Sequence, residues 1–203
     1  MQTLIADAGW PIWPLLLISV IALAIIIERI LSLREARVIP ASLVRDVKRM
    51  LNANTLTTED LERLTTSCTA GPMVSGILRN RSQDAERIRE VAQENGSDIS
   101  LDLNRYLPLL GTIGTVAPLM GLFGTVVGMI EIFAIFEPGG ADPGLLARGI
   151  SVALYNAGFG ILIAIPALIA HRLLRMRADT LLHKIELVGR DVIELIRTPK
   201  TNA

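Results

Sequence analysis

The sequence predicts an all-α integral membrane protein: three transmembrane helices with long cytoplasmic helical extensions. Three observations carry this. Between Leu107 and Phe136 one charge, Glu131, occurs in thirty residues. Between Gly149 and Ala170 there is none in twenty-two. Ile12 to Ile27 adds a third apolar run of sixteen. A helix of eighteen or more apolar residues crosses a hydrocarbon core about 30 Å thick. Length alone, 203 residues with 51% apolar and 4% aromatic, would allow one or two soluble domains. The clearing of charge from these stretches rules that reading out. Twenty basic residues cancel twenty acidic ones, which gives no support to a nucleic-acid footprint. The single cysteine, Cys68, excludes an intrachain disulfide framework.

Residues 1–30 hold an outer N-terminal segment and the first span. Ile12–Ile27 is slightly short and reaches full length when extended back to Gly9 and Trp10, which places Trp10 and Trp13 at an interface. A cleaved signal peptide is disfavoured, because Met1–Ile27 has no Lys or Arg and the run ends in Glu28-Arg29. Residues 31–105 form a helical cytoplasmic region. Pro40-Ala41-Ser42 opens Leu43, Val44, Val47, Met50 and Leu51 at helical spacing. Thr57-Thr58 before Glu59-Asp60 is a helix start, and Gly71-Pro72 a break. Ser82–Asn95 is a charged helix with Ile88 and Val91 as its sparse apolar face; Gly96 either interrupts it or lies within a helix that runs on. The second span is 106–136, an outer loop 137–148, the third span 149–171, and a cytoplasmic helix 172–203. Leu173, Leu174, Leu181, Leu182, Ile185, Val188, Val192 and Leu195 extend a stripe along that last helix, and Pro199 ends it.

Lys and Arg set the orientation. None precede the first span, twelve lie between Glu28 and Tyr106, one lies between the second and third spans, and seven follow Ala170. Basic residues stay cytoplasmic, so the N-terminus is expected outside and the C-terminus inside. Cys68 is then a plain thiol in a reducing compartment.

The second span is rich in small residues. Gly111, Gly114, Gly121, Gly124, Thr125 and Gly128 recur at three- and four-residue spacings. At 100° per residue Gly111, Gly114, Pro118, Gly121, Thr125 and Ile132 share a face. Such a face either packs helices tightly or lines a subunit-built pore, where Thr125 offers a hydroxyl to water or an ion; the alternative for Thr125 is a bond to its own backbone. Pro118 and Pro166 each remove a backbone donor and are read as bends. The third span carries Ser151, Tyr155 and Asn156. An unpaired Asn in lipid costs several kcal/mol, so Asn156 faces protein or a wet cavity. Ala153, Ala157 and Gly160 form a small-residue stripe beside it. Glu131 lies about 8 Å from the outer end of its helix by the 1.5 Å rise and reads as an interfacial, solvated carboxylate within reach of Arg148. His171, next to Arg172, reads as solvated. There is no HExxH, CxxC, P-loop or GxSxG, and His171 and His183 lack a cluster of ligands. No enzyme, cofactor or metal site is expected. An uncharged wall cannot shuttle protons alone.

Ala117-Pro118-Leu119-Met120-Gly121-Leu122-Phe123-Gly124-Thr125-Val126-Val127-Gly128-Met129-Ile130 resembles the second-span signature of the MotA/TolQ/ExbB proton-channel family. Gly149-Ile150-Ser151-Val152-Ala153-Leu154 with Ala164-Ile165-Pro166-Ala167 resembles its third-span signature. The start, Trp13-Pro14-Leu15-Leu16 through Ile27-Glu28-Arg29, is more similar to the ExbB branch than to TolQ or MotA. The resemblance implies a ring, a homopentamer, in a bacterial inner membrane, around an ExbD-like single-span partner with a membrane Asp. Outer segments become periplasmic, and proton flow drives work on a TonB-like protein for import of iron chelates and vitamins. Thr125 matches the family's pore threonine. Val152 stands where the ExbB and TolQ branches carry an acid, and Ala157 where they carry a Thr, which leaves the partner's Asp as proton carrier. A Tol-type or stator-type motor and a non-conducting scaffold are the alternatives.

Overall fold

The computed structural model describes residues 10–53, 56–134 and 143–197. In chain order the helices are α1 (Ile12–Ser32), α2 (Glu35–Val38), α3 (Leu43–Ala53), α4 (Thr58–Ser67), α5 (Gly71–Arg79), α6 (Ala85–Leu103), α7 (Leu107–Ala134) and α8 (Pro143–Arg197). No strand occurs among the described residues. Three helical stretches are long and apolar enough to cross a membrane, within Ile12–Ser32, Ala85–Ala134 and Gly149–Arg197. The chain divides into two units. One comprises Met1–Glu28 with Tyr106–Leu173, the other Arg29–Arg105 with Leu174–Ala203.

In the first unit the described residues are three apolar helical segments. The first segment buries Ile12, Leu15, Ala22 and Ile25. Their steps of 3, 7 and 3 residues, with half-buried Ser19 between, mark one seam along the helix. Its other faces expose Trp13, Leu17, Val20, Leu23 and Ile27, which suits lipid. Trp10 stacks edge-on to Phe123 at 6.2 Å. α8 starts at Pro143, inside the stretch read from sequence as a loop, because Pro is favoured in a helix's first turn.

The second unit is a helical bundle. Val38, Val47, Val74, Ile77, Leu78 and Ile185 are fully enclosed, and each such side chain contributes about 1.5–3 kcal/mol by leaving water. α4 opens with a capping box. Thr57 Oγ1 accepts from Asp60 N at 3.2 Å, and Thr57 N donates to Asp60 Oδ2 at 3.2 Å. The Thr57 hydroxyl also donates to Asp60 Oδ2 at 2.7 Å, and this bond first and the Thr57 amide second hold the Asp60 carboxyl below its usual range. The break at Gly71-Pro72 turns out to be the start of a helix. α5 buries Met73, Val74, Ile77 and Leu78, and a Cβ on Gly71 would strike the Leu64 carbonyl. Gly96 lies inside α6, which ends at Leu103. Asn104 N returns to Ser100 O, and Tyr106 takes a left-handed φ of 63° before α7. Pro108, lacking an amide, cannot continue α6. On α8 the buried row steps through Leu174, Ala178, Leu181, Ile185 and Val192, while Leu173, assigned to this stripe from sequence, is 62% exposed. A 3–4 step from Leu174 runs through Ala178, whose small side chain gives no hydropathy signal.

Two arginines close helix ends. Arg29, 4% exposed, donates from Nη1 to Asp102 O at 3.0 Å, at the C-terminus of α6. Arg177 Nε donates to Leu33 O at 2.8 Å, just past α1. Both place a cation against carbonyls at or just past a helix end, Asp102 O also accepting from Arg105 N at 3.2 Å. Lys184 Nζ pairs with Glu35 Oε1 at 2.6 Å. Its hydrogen bond first and its charge second hold the Glu35 carboxyl below the ordinary glutamate range. The unfolded chain therefore binds the Glu35 proton more tightly than the folded one. The pair's contribution is complete above the ordinary glutamate range and is lost as pH falls through the folded value. Thermal melts of Glu35→Gln and the parent are expected to differ at neutral pH and converge in acid; parallel curves down to pH ~3 would refute the linkage.

Candidate functional site

The site is the seam between α7 and the first part of α8, with the outward faces beside it. α7 turns Ile113, Gly114, Ala117, Gly121, Gly124 and Gly128 inward. α8 answers with Ala153, Asn156, Gly160, Ile163, Ala164 and Ala167. The helices approach so closely that side chains are excluded. A Cβ on Gly160 would lie 2.6 Å from Ala117 O and 3.1 Å from Gly121 Cα. One on Gly121 would lie 2.7 Å from Asn156 O and 3.2 Å from Ala157 Cα, and one on Gly124 2.7 Å from Asn156 Cβ. At Gly114 it would meet the Leu168 side chain at 2.6 Å; at Gly128 it would rest on Ala153 at an ordinary 3.7 Å.

The seam is not centred where the glycine periodicity places it. The face drawn through Gly111, Gly114, Pro118, Gly121, Thr125 and Ile132 is rotated. Gly111, Pro118, Thr125 and Ile132, seven residues apart, form a half-buried edge, and Gly124 and Gly128 take the centre. Both prolines sit in unbroken helices, Pro118 half-buried and Pro166 exposed. Each leaves the carbonyl four residues earlier, at Gly114 and Leu162, without its helical donor.

The four ion-path candidates do not share a face. Asn156 is fully buried in the seam against Gly124, and its Nδ2 donates to Val152 O at 3.2 Å. Tyr155, 39% exposed, and Ser151 point outward. The reason is angular, since one residue turns the helix by about 100°. Thr125 lies at the seam edge, and its hydroxyl donates to Leu122 O at 2.6 Å. Ser151 Oγ donates to Ala147 O at 2.9 Å. Val152 and Ala157 are both half-buried. Glu131 is exposed; the side chain of Arg148 lies outside the described ones.

Sequence reasoning passed over two hydroxyls. Thr112 and Thr115 lie on the exposed stripe that continues through Leu119, Leu122 and Val126. They donate to Pro108 O at 3.0 Å and Thr112 O at 2.9 Å. Their three-residue spacing was the available signal. His171, read as solvated, is half-buried instead. Its ring lies against Gly111, 3.2 Å from where a Cβ would stand, and among the described residues its buried Nδ1 has no hydrogen-bond partner. The missing Gly111 side chain makes that room. No cluster of three metal-ligating side chains occurs among the described residues.

A sequence profile for the MotA/TolQ/ExbB proton channel family matches residues 48–187. The chain belongs to that family. Over 81 residues it is 38% identical to biopolymer transport protein exbB1 of Vibrio cholerae serotype O1. That match takes in 39% of this chain and 31% of the relative, so the chain spans about a third of the length of the curated relative it matches. As a family member it is a membrane protein, in keeping with its three helical stretches long and apolar enough to cross a bilayer.

Gly158 has nothing within 4 Å of an added Cβ. Gly158→Ala should therefore raise the melting temperature slightly in detergent, by removing a helix glycine worth about 0.5–1 kcal/mol. Gly160→Ala should lower it by an overpacking cost of about 1–3 kcal/mol, because a backbone carbonyl and a backbone carbon stand in the way. Equal effects of the two substitutions would contradict the close approach.

Proposed function

We propose that this chain is the channel-wall subunit of a proton-driven motor in a bacterial inner membrane. It works in a homopentameric ring around an ExbD-like single-span partner that carries a membrane aspartate. The ring passes its work to a TonB-like protein that opens outer-membrane receptors for iron chelates and vitamins. The N-terminus and the 137–148 loop are periplasmic, and the C-terminus is cytoplasmic.

One observation carries the reading. The spans' carboxylate and imidazole stand only at their borders, Glu131 near the end of α7 and His171 at the end of 149–171; from Leu107 to Ile130, and from Gly149 to Ala170, there is no carboxylate, amine or imidazole. A chain of a proton channel family with such spans needs a titrating group from elsewhere. The hydroxyls define what that group must be. Thr112, Thr115, Thr125 and Ser151 each spend their proton on a carbonyl of their own helix. Only lone pairs remain to face outward, so they can accept a hydrogen bond and not donate one. A protonated carboxyl can satisfy them, while a carboxylate meets acceptors in a poorly solvated wall and is disfavoured twice. The partner's aspartate therefore crosses this wall neutral and releases its proton only where water returns. Each proton moved down the potential supplies ~2.3 kcal/mol per 100 mV. No bond-making step, metal or cofactor is required, and neither nucleic acid nor any ligand beyond the bilayer and these proteins.

Thr125→Val is nearly isosteric and breaks only a local bond, so the complex should assemble. Proton flux in vesicles should fall about tenfold, the worth of one lost hydrogen bond of ~1.4 kcal/mol, and Thr125→Ser should restore it. Full flux through the valine variant would defeat the proposal. Gentle extraction from native membranes, followed by mass spectrometry, should yield a single-span protein with a membrane Asp and a TonB-like protein. Tol-like or peptidoglycan-binding partners would assign the motor to envelope or motility work. Recovery with no membrane partner even after crosslinking would leave a scaffold.

A further inference from the structure

The second unit contains a cleft of about 980 Å³ between α6 and the end of α8, lined by none of the residues invoked for the proton path. Its floor is apolar: Met73, 3% exposed, the bare backbone of Gly189, and Ile193. Three guanidiniums stand around it, Arg89 from α6 and Arg190 and Arg197 from α8. Arg190 has Glu186 and Glu194 four residues away on either side, the favoured spacing for helix ion pairs. It pairs with neither, and among the described residues none of the three arginines is joined to a carboxylate. Two acids also line the cleft, so its charge is three guanidiniums against two carboxylates. Glu186 lies 3.9 Å from His183 Nδ1, and Glu194 has a partner.

We propose that this cleft docks an acidic amphipathic helix of a partner protein. Spacing favours a helix over a single small anion. Arg190 and Arg197 are seven residues apart, about 10.5 Å along α8. Carboxylates at i and i+7 of a helix laid alongside stand the same distance apart. The apolar side chains between them, at i+3 and i+4, fall on the Met73–Ile193 floor. The missing side chain of Gly189 admits Met73, whose sulfur lies 2.8 Å from where a Cβ would stand and forms the floor there. Guanidinium–carboxylate pairs then supply direction and register, and the floor supplies burial.

The test uses the full-length chain in a neutral detergent and a fluorescein-labelled peptide of about five helical turns, with Glu at i and i+7 and Leu at i+3 and i+4. Anisotropy should show saturable binding that weakens as salt rises. Replacing the two Glu by Gln in the peptide, which leaves the protein untouched, should weaken binding about tenfold. The protein variant Arg190→Gln/Arg197→Gln should show a similar loss with an unchanged melting temperature. Ala92→Trp, which fills the cleft from α6, should abolish binding. Equal affinity of the Glu and Gln peptides, or no loss on Arg190→Gln/Arg197→Gln, would overturn the proposal. Displacement of the peptide by millimolar inorganic phosphate would do the same, in favour of a small-anion site. So would disulfide linkage between copies carrying Gln93→Cys and Ile193→Cys in a Cys68→Ser background, which would give the cleft to a second copy of this chain.

Discussion

The close approach of α7 and α8 is the constraint on which the candidate channel wall depends. Gly160 sits over Ala117 and Gly121 at distances no side chain tolerates, and lipid offers no hydrophobic force to bring two apolar helices together. Contact therefore comes from backbone meeting backbone, and only small residues permit it. Once that register is set, every other position on the two helices has its place. Asn156 must be inside, because Gly121 and Gly124 are built around it. Tyr155, one residue away, must be outside. Thr125 falls on the boundary, and Leu119, Leu122 and Val126 are left facing outward.

The second unit solves a different problem. Its core is filled by large apolar side chains, Val38, Ile77, Leu78 and Ile185 among them, and their burial drives its packing. The difficulty lies at helix ends, where four carbonyls lack partners. At the end of α6 Ser100 O keeps its helical donor, Asn104 N at 3.1 Å, and accepts a second bond from Asn104 Nδ2 at 2.9 Å. Arg29 and Arg177 reach carbonyls at or just past helix ends from distant parts of the sequence. A buried arginine is costly unless its donors are used, and here main-chain carbonyls use them. Within the second unit these contacts join residues 73 and 144 positions apart in the sequence.

Hydropathy made the three long helices legible, because a bilayer's thickness forces a charge-free run of minimum length. The resemblance carried by Ala117–Ile130 identified the family. Rotation about each helix axis was harder. Glycine spacing marks a face as small and does not say which of two adjacent rows the partner takes; that depends on Gly160 and Asn156, forty residues on. Ser151, Tyr155 and Asn156 were grouped because all are polar, whereas polarity carries no angular information. α5 was hidden because Gly71-Pro72 reads as punctuation, although proline is equally a first-turn residue. Arg29 looked like the polar end of a span. Its carbonyl partners are 73 residues away, beyond any local pattern.

The bond from Arg177 to Leu33 O spans 144 residues, and this sets a timetable for biosynthesis. At about 5–20 residues per second, the ribosome adds Arg177 roughly 7 to 30 seconds after Leu33. Through that interval the end of α1 exists without the guanidinium that closes it, and water must hold the Leu33 carbonyl. The bundle cannot be completed domain by domain as the chain emerges. Its first helix waits for nearly the last, so a nascent chain stalled or truncated before residue 177 is left with an open helix end and an exposed apolar core that cellular quality control can recognise.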